Sequence, residues 1–371
     1  MDRKIRVVVL FGGQSSEHEV SRISAQSVLE NMDPNRYDIR MIGITKNGEW
    51  LRYDGDIKHL ASGEWENIAR ANLLPAPKKA ENAVPTCMDL ITTRDRDGRP
   101  EPVDVVFPVL HGPNGEDGSV QGLLQLAGVP YVGCDILSSA ACMDKEFTKL
   151  VLNQAGIPTA RYIKVYRDEI EVSVQVIRSR IDEQFGWPCF VKPANAGSSV
   201  GVTKVRSPEN LLEALRQAAK YDNKILIEEY IEGRELECAV LGNRHPMASV
   251  VGEIVPSNEF YDYNAKYLDG KSETIIPADI EPKVAEQIRD YAVKAFKALG
   301  CSGLSRVDFF LQKGTNRIIL NELNTMPGFT DISMYSKLWA ASGIPYPRLI
   351  DRLIELAFER HEQSIRSYER A

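Results

Sequence analysis

No run of apolar residues in this chain of 371 approaches the roughly 18 that a membrane-crossing helix requires. Nor does a basic leader with an apolar core and a small-residue cleavage pattern precede residues 5–11, so the expectation is a cytoplasmic protein with no membrane partner. Cysteines are few and scattered. Cys87, Cys134, Cys142, Cys189, Cys238 and Cys301 form no C-x-x-C pair and no His spacing of a zinc site, which points to reduced, buried thiols. Positive charge is also short: Lys and Arg number 45 against 52 Asp and Glu, a formal charge of -7. That balance excludes a nucleic acid held by phosphate contacts but leaves room for a local basic groove around a small phosphorylated ligand. Internal repeats and low-complexity linkers are absent, so domains packed closely together are expected.

What the chain does have is a globular composition, 43% hydrophobic and 26% charged, too apolar for disorder. Its length allows roughly two to three domains at ~100–200 residues each. Residues 5–11 predict a buried parallel strand closed by Gly12-Gly13. Ser16 with Glu19 three positions on predicts a capping box and a helix through Met32, which puts Glu17 in the first turn. Residues 37–44 and 103–110 predict strands, with turns or a hairpin in the polar stretch 62–102 between them. After the second strand comes His111-Gly-Pro-Asn-Gly-Glu-Asp-Gly118, a glycine-rich loop at a strand's carboxyl end, where open α/β sheets hold ligands. From about Cys142 a second α/β unit follows, with helices over 145–155 and 208–219 and strands at 162–166, 189–192 and 225–231. A third carries strands at 235–241, 303–311 and 318–324, a helix near 282–299 and a C-terminal helix.

Side chains alternate along Ser305-Arg-Val-Asp-Phe-Phe310, so Arg306 and Asp308 share one face, as Glu322 and Asn324 do on the return strand. A hairpin folded about Thr315 sets Asp308 opposite Glu322 and Arg306 opposite Asn324 in one antiparallel register. Converging oxygens suit Mg²⁺ or Mn²⁺, which bridge a few carboxylates to nucleotide phosphates. A solvated strand face with cross-strand pairs accounts for the same residues equally well. The loop Lys192-Pro-Ala-Asn-Ala-Gly-Ser-Ser-Val-Gly201 joins a lysine to small residues whose N–H groups can approach phosphate oxygens, although a plain turn has similar composition. It is not a Walker loop, and Gly12-Gly-Gln-Ser-Ser16 lacks dinucleotide spacing. Glu228-Glu-Tyr-Ile231, beside a buried strand, is a weaker signal.

Seven segments then recur in order: Gly12-Gly-Gln-Ser-Ser-Glu-His-Glu-Val-Ser21, the 111–118 loop, Met143-Asp-Lys145, the 192–201 loop, Phe260-Tyr-Asp-Tyr-Asn-Ala-Lys-Tyr267, Ser305-Arg-Val-Asp308 and Asn321-Glu-Leu-Asn-Thr-Met-Pro-Gly328. From Val7 to about Leu349 the chain resembles the D-alanine–D-alanine ligase family of the ATP-grasp superfamily; only residues 61–100 carry no signature. The resemblance implies an α/β fold of three-domain ATP-grasp architecture with an N-terminal open parallel sheet. Its expected parts are a substrate-binding domain over 1–141, a central domain over 142–231, and a C-terminal domain over 232–371 with the metal site and a lid around 258–272.

Also implied are ATP between the central and C-terminal domains, two D-alanine molecules where all three meet, and Mg²⁺ or Mn²⁺, as two ions, on Asp308, Glu322 and Asn324. Lys145, Lys192, Ser199 and Lys266 would meet the phosphates. Glu228, Glu229 and Ile231 would line the adenine pocket, and Glu235 would bind the ribose. Glu17, supported by Ser198 and Tyr267, would hold the first ammonium, although a carboxylate in a first helical turn also answers the helix dipole. Arg306 and the Gly328 N–H would stabilise the oxyanion, Ser333 and the Met334 backbone would bind the second carboxylate, and His111 would attend its amine. The implied reaction forms D-alanyl-D-alanine through an acyl phosphate, for the cell wall, in a homodimer. D-lactate as second substrate is one alternative, disfavoured by Tyr267. A non-catalytic ATP-binding module is the other, disfavoured by the presence of Arg306, Asp308, Glu322 and Asn324.

Overall fold

A computed structural model describes residues 3–72, 91–94, 100–255, 273–330 and 333–365. Its first sheet is built from β1 (Ile5–Gly12), β2 (Tyr37–Ile44) and β3 (Trp50–Tyr53), joined beyond a short antiparallel pair, β4 (Thr93–Arg94) and β5 (Pro100–Glu101), by β6 (Val105–Val109). The order is β3-β2-β1-β6, with β1 parallel to β2 and β6 and with β3 antiparallel at the edge. The open sheet is thus parallel at its centre and mixed at one rim. Val7, Val9 and Phe11 point into one core while Val8 and Leu10 point into another. Burial on both faces is why residues 7–11 of β1 are uninterruptedly apolar.

The helix His18–Asn31 follows, but it does not start with the expected capping box. Ser15 Oγ accepts the Glu17 N–H, Glu19 pairs with Lys46 at 2.6 Å, and Glu17 occupies the N-cap position with no side-chain cap bond. An ion pair with a neighbouring turn has drawn Glu19 away from the helix start. The Glu17 carboxylate is therefore left to turn elsewhere.

The second sheet, order β7-β10-β8-β9, contains β7 (Tyr162–Tyr166), β8 (Cys189–Pro193), β9 (Thr203–Val205) and β10 (Lys224–Glu229), every pair antiparallel. Ile163, Val165, Val191, Ile225 and Ile227 pack beneath Ile177 and Ile181 of the helix Ile170–Gln184 and Leu215 of the helix Leu211–Ala218.

The third sheet comprises β11 (Gly233–Gly242), β12 (Met247–Val255), β13 (Glu273–Ile275), β14 (Gly303–Gln312) and β15 (Ile318–Asn324), again antiparallel, in the order β13-β12-β11-β14-β15. One face, with Leu236, Cys238, Val240, Val307 and Phe309, packs on the helix Pro282–Ala298 and also buries Leu152 of the helix Lys145–Gln154. The other face is split. Ala239, Leu241 and Leu304 join the core of the first sheet together with Tyr335, Trp339 and Leu353, whereas Glu235, Glu237, Arg306 and Asp308 leave the far half of that face polar. A polar half on an otherwise apolar sheet face marks where ligands are handled.

The β14–β15 register is the expected one at its functional end, with Arg306 opposite Asn324 and Asp308 opposite Glu322. It slips after Asp308, so that Phe309 lies opposite Leu320 and Asn321 is the extra residue. Asn321 and Glu322, at this bulge, both line one cavity. No helix among the described residues is long and apolar enough to cross a membrane.

Candidate active site

Two adjoining cavities, of about 140 and 400 Å³, share Lys145, Ser198, Glu237 and Glu322 as walls. The smaller lies where the loops of the first sheet, the 194–201 loop and the polar half of the third sheet meet. Its lining includes Glu17, Glu116, Arg306, Asn324, Gly328, Ser333 and Met334. The larger opens between the second and third sheets and collects Lys192, Ser199, Glu228, Glu229, Ile231, Glu235 and Asp308, with Val202, Leu236 and Phe310 as apolar surface. Its volume and mixed lining match a pocket for a nucleotide-sized ligand. Lys266, Tyr267 and the expected lid over 258–272 lie outside the described residues.

Where the two cavities adjoin, Ser198 and Ser199 stand successively at φ +47° and +59°. Such backbone is rare for non-glycine residues and concentrates at ligand sites. It aims the Ser198 hydroxyl to donate to Glu17 Oε1. Glu17 Oε2 is buried with no hydrogen-bond partner among the described residues, and a Cβ on Gly112 or Gly197 would come within 2.6 or 2.7 Å of it. Two glycine backbones thus wall a carboxylate that has one oxygen unsatisfied. Desolvating such an oxygen is costly, so the geometry is suited to a cationic donor such as an ammonium.

Glu116, which sequence reasoning passed over as part of a loop, is the second acid in this cavity. Its Oε1 accepts the Gly112 N–H at 2.7 Å. Burial, and after it the charges of Glu17 and Glu322, push its carboxyl well above the ordinary range, against a downward pull from Lys145. Glu237 was also missed, although the alternation Glu235-Leu-Glu237 in β11 carried the signal.

His111 is not in either cavity. Its Nδ1 lies 2.9 Å from the Met326 carbonyl and its Nε2 3.1 Å from Ser24 Oγ, and burial lowers its pKa. With a carbonyl as acceptor, Nδ1 carries the proton and the neutral ring accepts from Ser24. The expectation that His111 attends the second amine is therefore replaced by a positioning role, tying the 111–118 loop to the chain after β15.

Charge is concentrated at the junction of the cavities. Glu228 is buried between Lys149 at 3.3 Å and Lys192 at 2.8 Å. Lys145 donates to the Ala196 carbonyl at 2.5 Å, and burial lowers its pKa. Lys145, Lys149 and Lys192 gather here around Glu228, so ammonium groups are at hand for phosphates. Arg306 is forked onto Asp308 and reaches Glu237 at 3.0 Å. The donors Asp308, Glu322 and Asn324 are all oxygens and fit a hard divalent cation by chemistry. Asp308 holds a guanidinium in this arrangement and would exchange it for the ion.

Residues 6–134 match the family model described as the D-ala D-ala ligase N-terminus, and residues 151–355 match that of the C-terminus. D-alanine–D-alanine ligase from Acetivibrio thermocellus is 54% identical over 378 residues, with 100% of both chains covered. That from Ruminiclostridium cellulolyticum is 53% identical over 98% of each chain. Among solved structures, VanG D-Ala:D-Ser ligase from Enterococcus faecalis is similar with a TM-score of 0.82 at 38% identity, covering 96% of this chain and 100% of that one. The D-alanine-D-alanine ligase from Coxiella burnetii gives 0.80 at 37% identity, covering 98% of this chain and 96% of the other. By full-length identity, matching domain models and shared ATP-grasp fold, this chain belongs to the D-alanine–D-alanine ligase family.

Proposed function

We propose that this protein joins two molecules of D-alanine in an ATP-dependent reaction that forms D-alanyl-D-alanine, ADP and phosphate, for peptidoglycan precursor synthesis. The observation that carries the reading is the buried Glu17 oxygen, without a partner among the described residues, in one cavity with Arg306 and Lys145. Glu17 holds the ammonium of the first D-alanine, with Ser198 and Tyr267 orienting it. A carboxylate is a poor electrophile, so the ATP γ-phosphoryl is first transferred to one of its oxygens; the bond to ADP breaks and an acyl phosphate forms. Lys145, Lys192, Ser199 and Lys266 meet the phosphates. Glu228, Glu229 and Ile231 line the adenine pocket, and Glu235 binds the ribose. Mg²⁺ or Mn²⁺, as two ions on Asp308, Glu322 and Asn324, would neutralise phosphate charge.

The second D-alanine sets its carboxylate against Ser333 and the Met334 N–H, at the start of the helix Met334–Ala341, where free N–H groups favour an anion. Its neutral amine attacks the acyl carbon, the C–N bond forms, and phosphate leaves. Arg306 and the Gly328 N–H receive the oxyanion; one such donor is worth roughly 10²–10³ in rate. We propose the division 1–141, 142–231 and 232–371, with the helix Lys145–Gln154 bridging to the third sheet through Leu152, and a cytoplasmic homodimer.

The test is ADP release by purified protein with ATP, Mg²⁺ and D-alanine, beside L-alanine, D-serine and D-lactate. D-alanine alone should support turnover with a dipeptide product. Faster turnover when D-serine or D-lactate accompanies D-alanine, with the mixed product found by mass spectrometry, would overturn the choice of second substrate.

A further inference from the structure

Three thiols meet behind the smaller cavity, one of them 159 positions along the chain from its partner. Cys142, in the last turn of the helix Ile136–Met143, places its sulfur 3.7 Å from that of Cys301, which lies just before β14. Cys134, the third, donates to the Ser302 carbonyl, next to Cys301, at 3.3 Å. Among these only Cys142 lines the cavity, next to Met143 and three positions before Lys145. All are free thiols.

We propose that Cys142 and Cys301 are a hydroperoxide-sensitive pair, oxidised through the substrate cavity to a disulfide that slows the ligase reversibly. Hydrogen peroxide is small enough to enter. The Cys142 sulfur attacks the O–O bond, which breaks to leave a sulfenic acid and one water. The Cys301 sulfur then displaces that hydroxyl; the S–S bond forms, and the hydroxyl departs with the Cys301 proton as a second water. Two thiols give up two electrons and one peroxide takes them. Cys134 remains a bystander: it does not line the cavity, and its S–H is turned to the Ser302 carbonyl.

Closing from 3.7 Å to the ~2.05 Å of a disulfide draws the end of the helix Ile136–Met143 towards β14. Lys145 follows two residues beyond Met143, and its position is fixed by its N–H on the Ala194 carbonyl and its ammonium on the Ala196 carbonyl. Pulling on one end of this segment shifts a phosphate-facing lysine, and displacement by ~1 Å costs about 10²-fold in rate.

Purified enzyme treated with hydrogen peroxide, digested without reduction and mapped by mass spectrometry should yield a peptide pair joining Cys142 to Cys301, lighter by two hydrogens. ADP release should fall about 10²-fold in step with the cross-link and return with dithiothreitol. Cys301→Ala should give no cross-link and no dithiothreitol-recoverable loss; Cys301→Ser, closer in size, serves if the alanine variant does not fold. Cys134→Ala should behave as the parent does. Absence of the Cys142–Cys301 peptide, its replacement by one containing Cys134, or full ADP release from cross-linked enzyme would each overturn the proposal. Untreated enzyme reports separately on the ligase reading.

Discussion

Arg306 and Asp308, two residues apart on β14, close on each other through two hydrogen bonds of 2.7 Å, from Nε to Oδ1 and from the terminal nitrogen to Oδ2. Glu237 on the adjacent strand takes the same guanidinium at 3.0 Å. The side chain proposed for the oxyanion and one proposed for the metal are therefore not independent, and a change at either reaches the other.

Asp308→Ala should leave the fold intact, because Arg306 keeps Glu237, yet lower turnover by at least about 10²-fold, the size expected for one preorganised charge-stabilising group. Glu322→Ala should do the same from the other strand. ADP release followed across a Mg²⁺ titration checks both; near-normal rates in either variant would defeat the metal assignment.

Glu17 depends on its glycine walls. Gly197→Ala adds a Cβ 2.7 Å from Oε2. Displacing the carboxylate from an ammonium forfeits a charged hydrogen bond of about 1.5–3 kcal/mol, so kcat/KM for D-alanine should fall roughly tenfold to 10²-fold. KM for ATP should hardly change. Steady-state kinetics with each substrate varied in turn decide the matter, and an equal rise in both KM values would count against this role for Glu17.

The buried group of Lys149, Glu228 and Lys192 sets two cations on one acid. Glu228→Gln strands two ammonium groups together and should cost about 3–5 kcal/mol, the usual loss when one partner of a buried pair is removed. Lys149→Met leaves Glu228 paired to Lys192 at 2.8 Å and should cost clearly less. Urea unfolding of the two variants gives the ranking; the reverse order would mean that Lys149 is the main partner of Glu228.

Glu116 predicts a pH dependence. Its folded pKa is raised well above 4.5, so the neutral carboxyl favours the fold fully below about that pH, and the contribution fades as pH rises towards the folded value. Because glutamine does not ionise, the parent should lose stability relative to Glu116→Gln as pH rises, by up to about 1.4 kcal/mol per pH unit. Parallel urea midpoints between pH 5 and 8 would show that Glu116 does not ionise as proposed.

Periodicity made much of this protein legible before any coordinates. A period of two along residues 303–324 is enough to put Arg306 with Asp308 and Glu322 with Asn324, whereas their pairing across the hairpin also needs the one-residue bulge at Asn321. The unbroken apolar run of β1 likewise announced a strand buried on both faces. Such patterns are local, because they follow from the backbone's own repeat.

What the sequence by itself determined was therefore its elements, their faces and, through seven ordered motifs, its family. Tertiary structure alone decided which faces meet. Ser198 and Glu17 are 181 positions apart, His111 and Met326 are 215 apart, and Cys142 and Cys301 are 159 apart. No spacing rule reaches across such separations. The same holds for Glu116, whose pKa is raised because folding buries it and sets Glu17 and Glu322 near it. It holds also for Ser16 and Glu19, whose local capping signal gave way to Lys46. Desolvation and Coulomb interactions depend on distance in space, and that distance is set by packing between segments that the local sequence pattern does not encode.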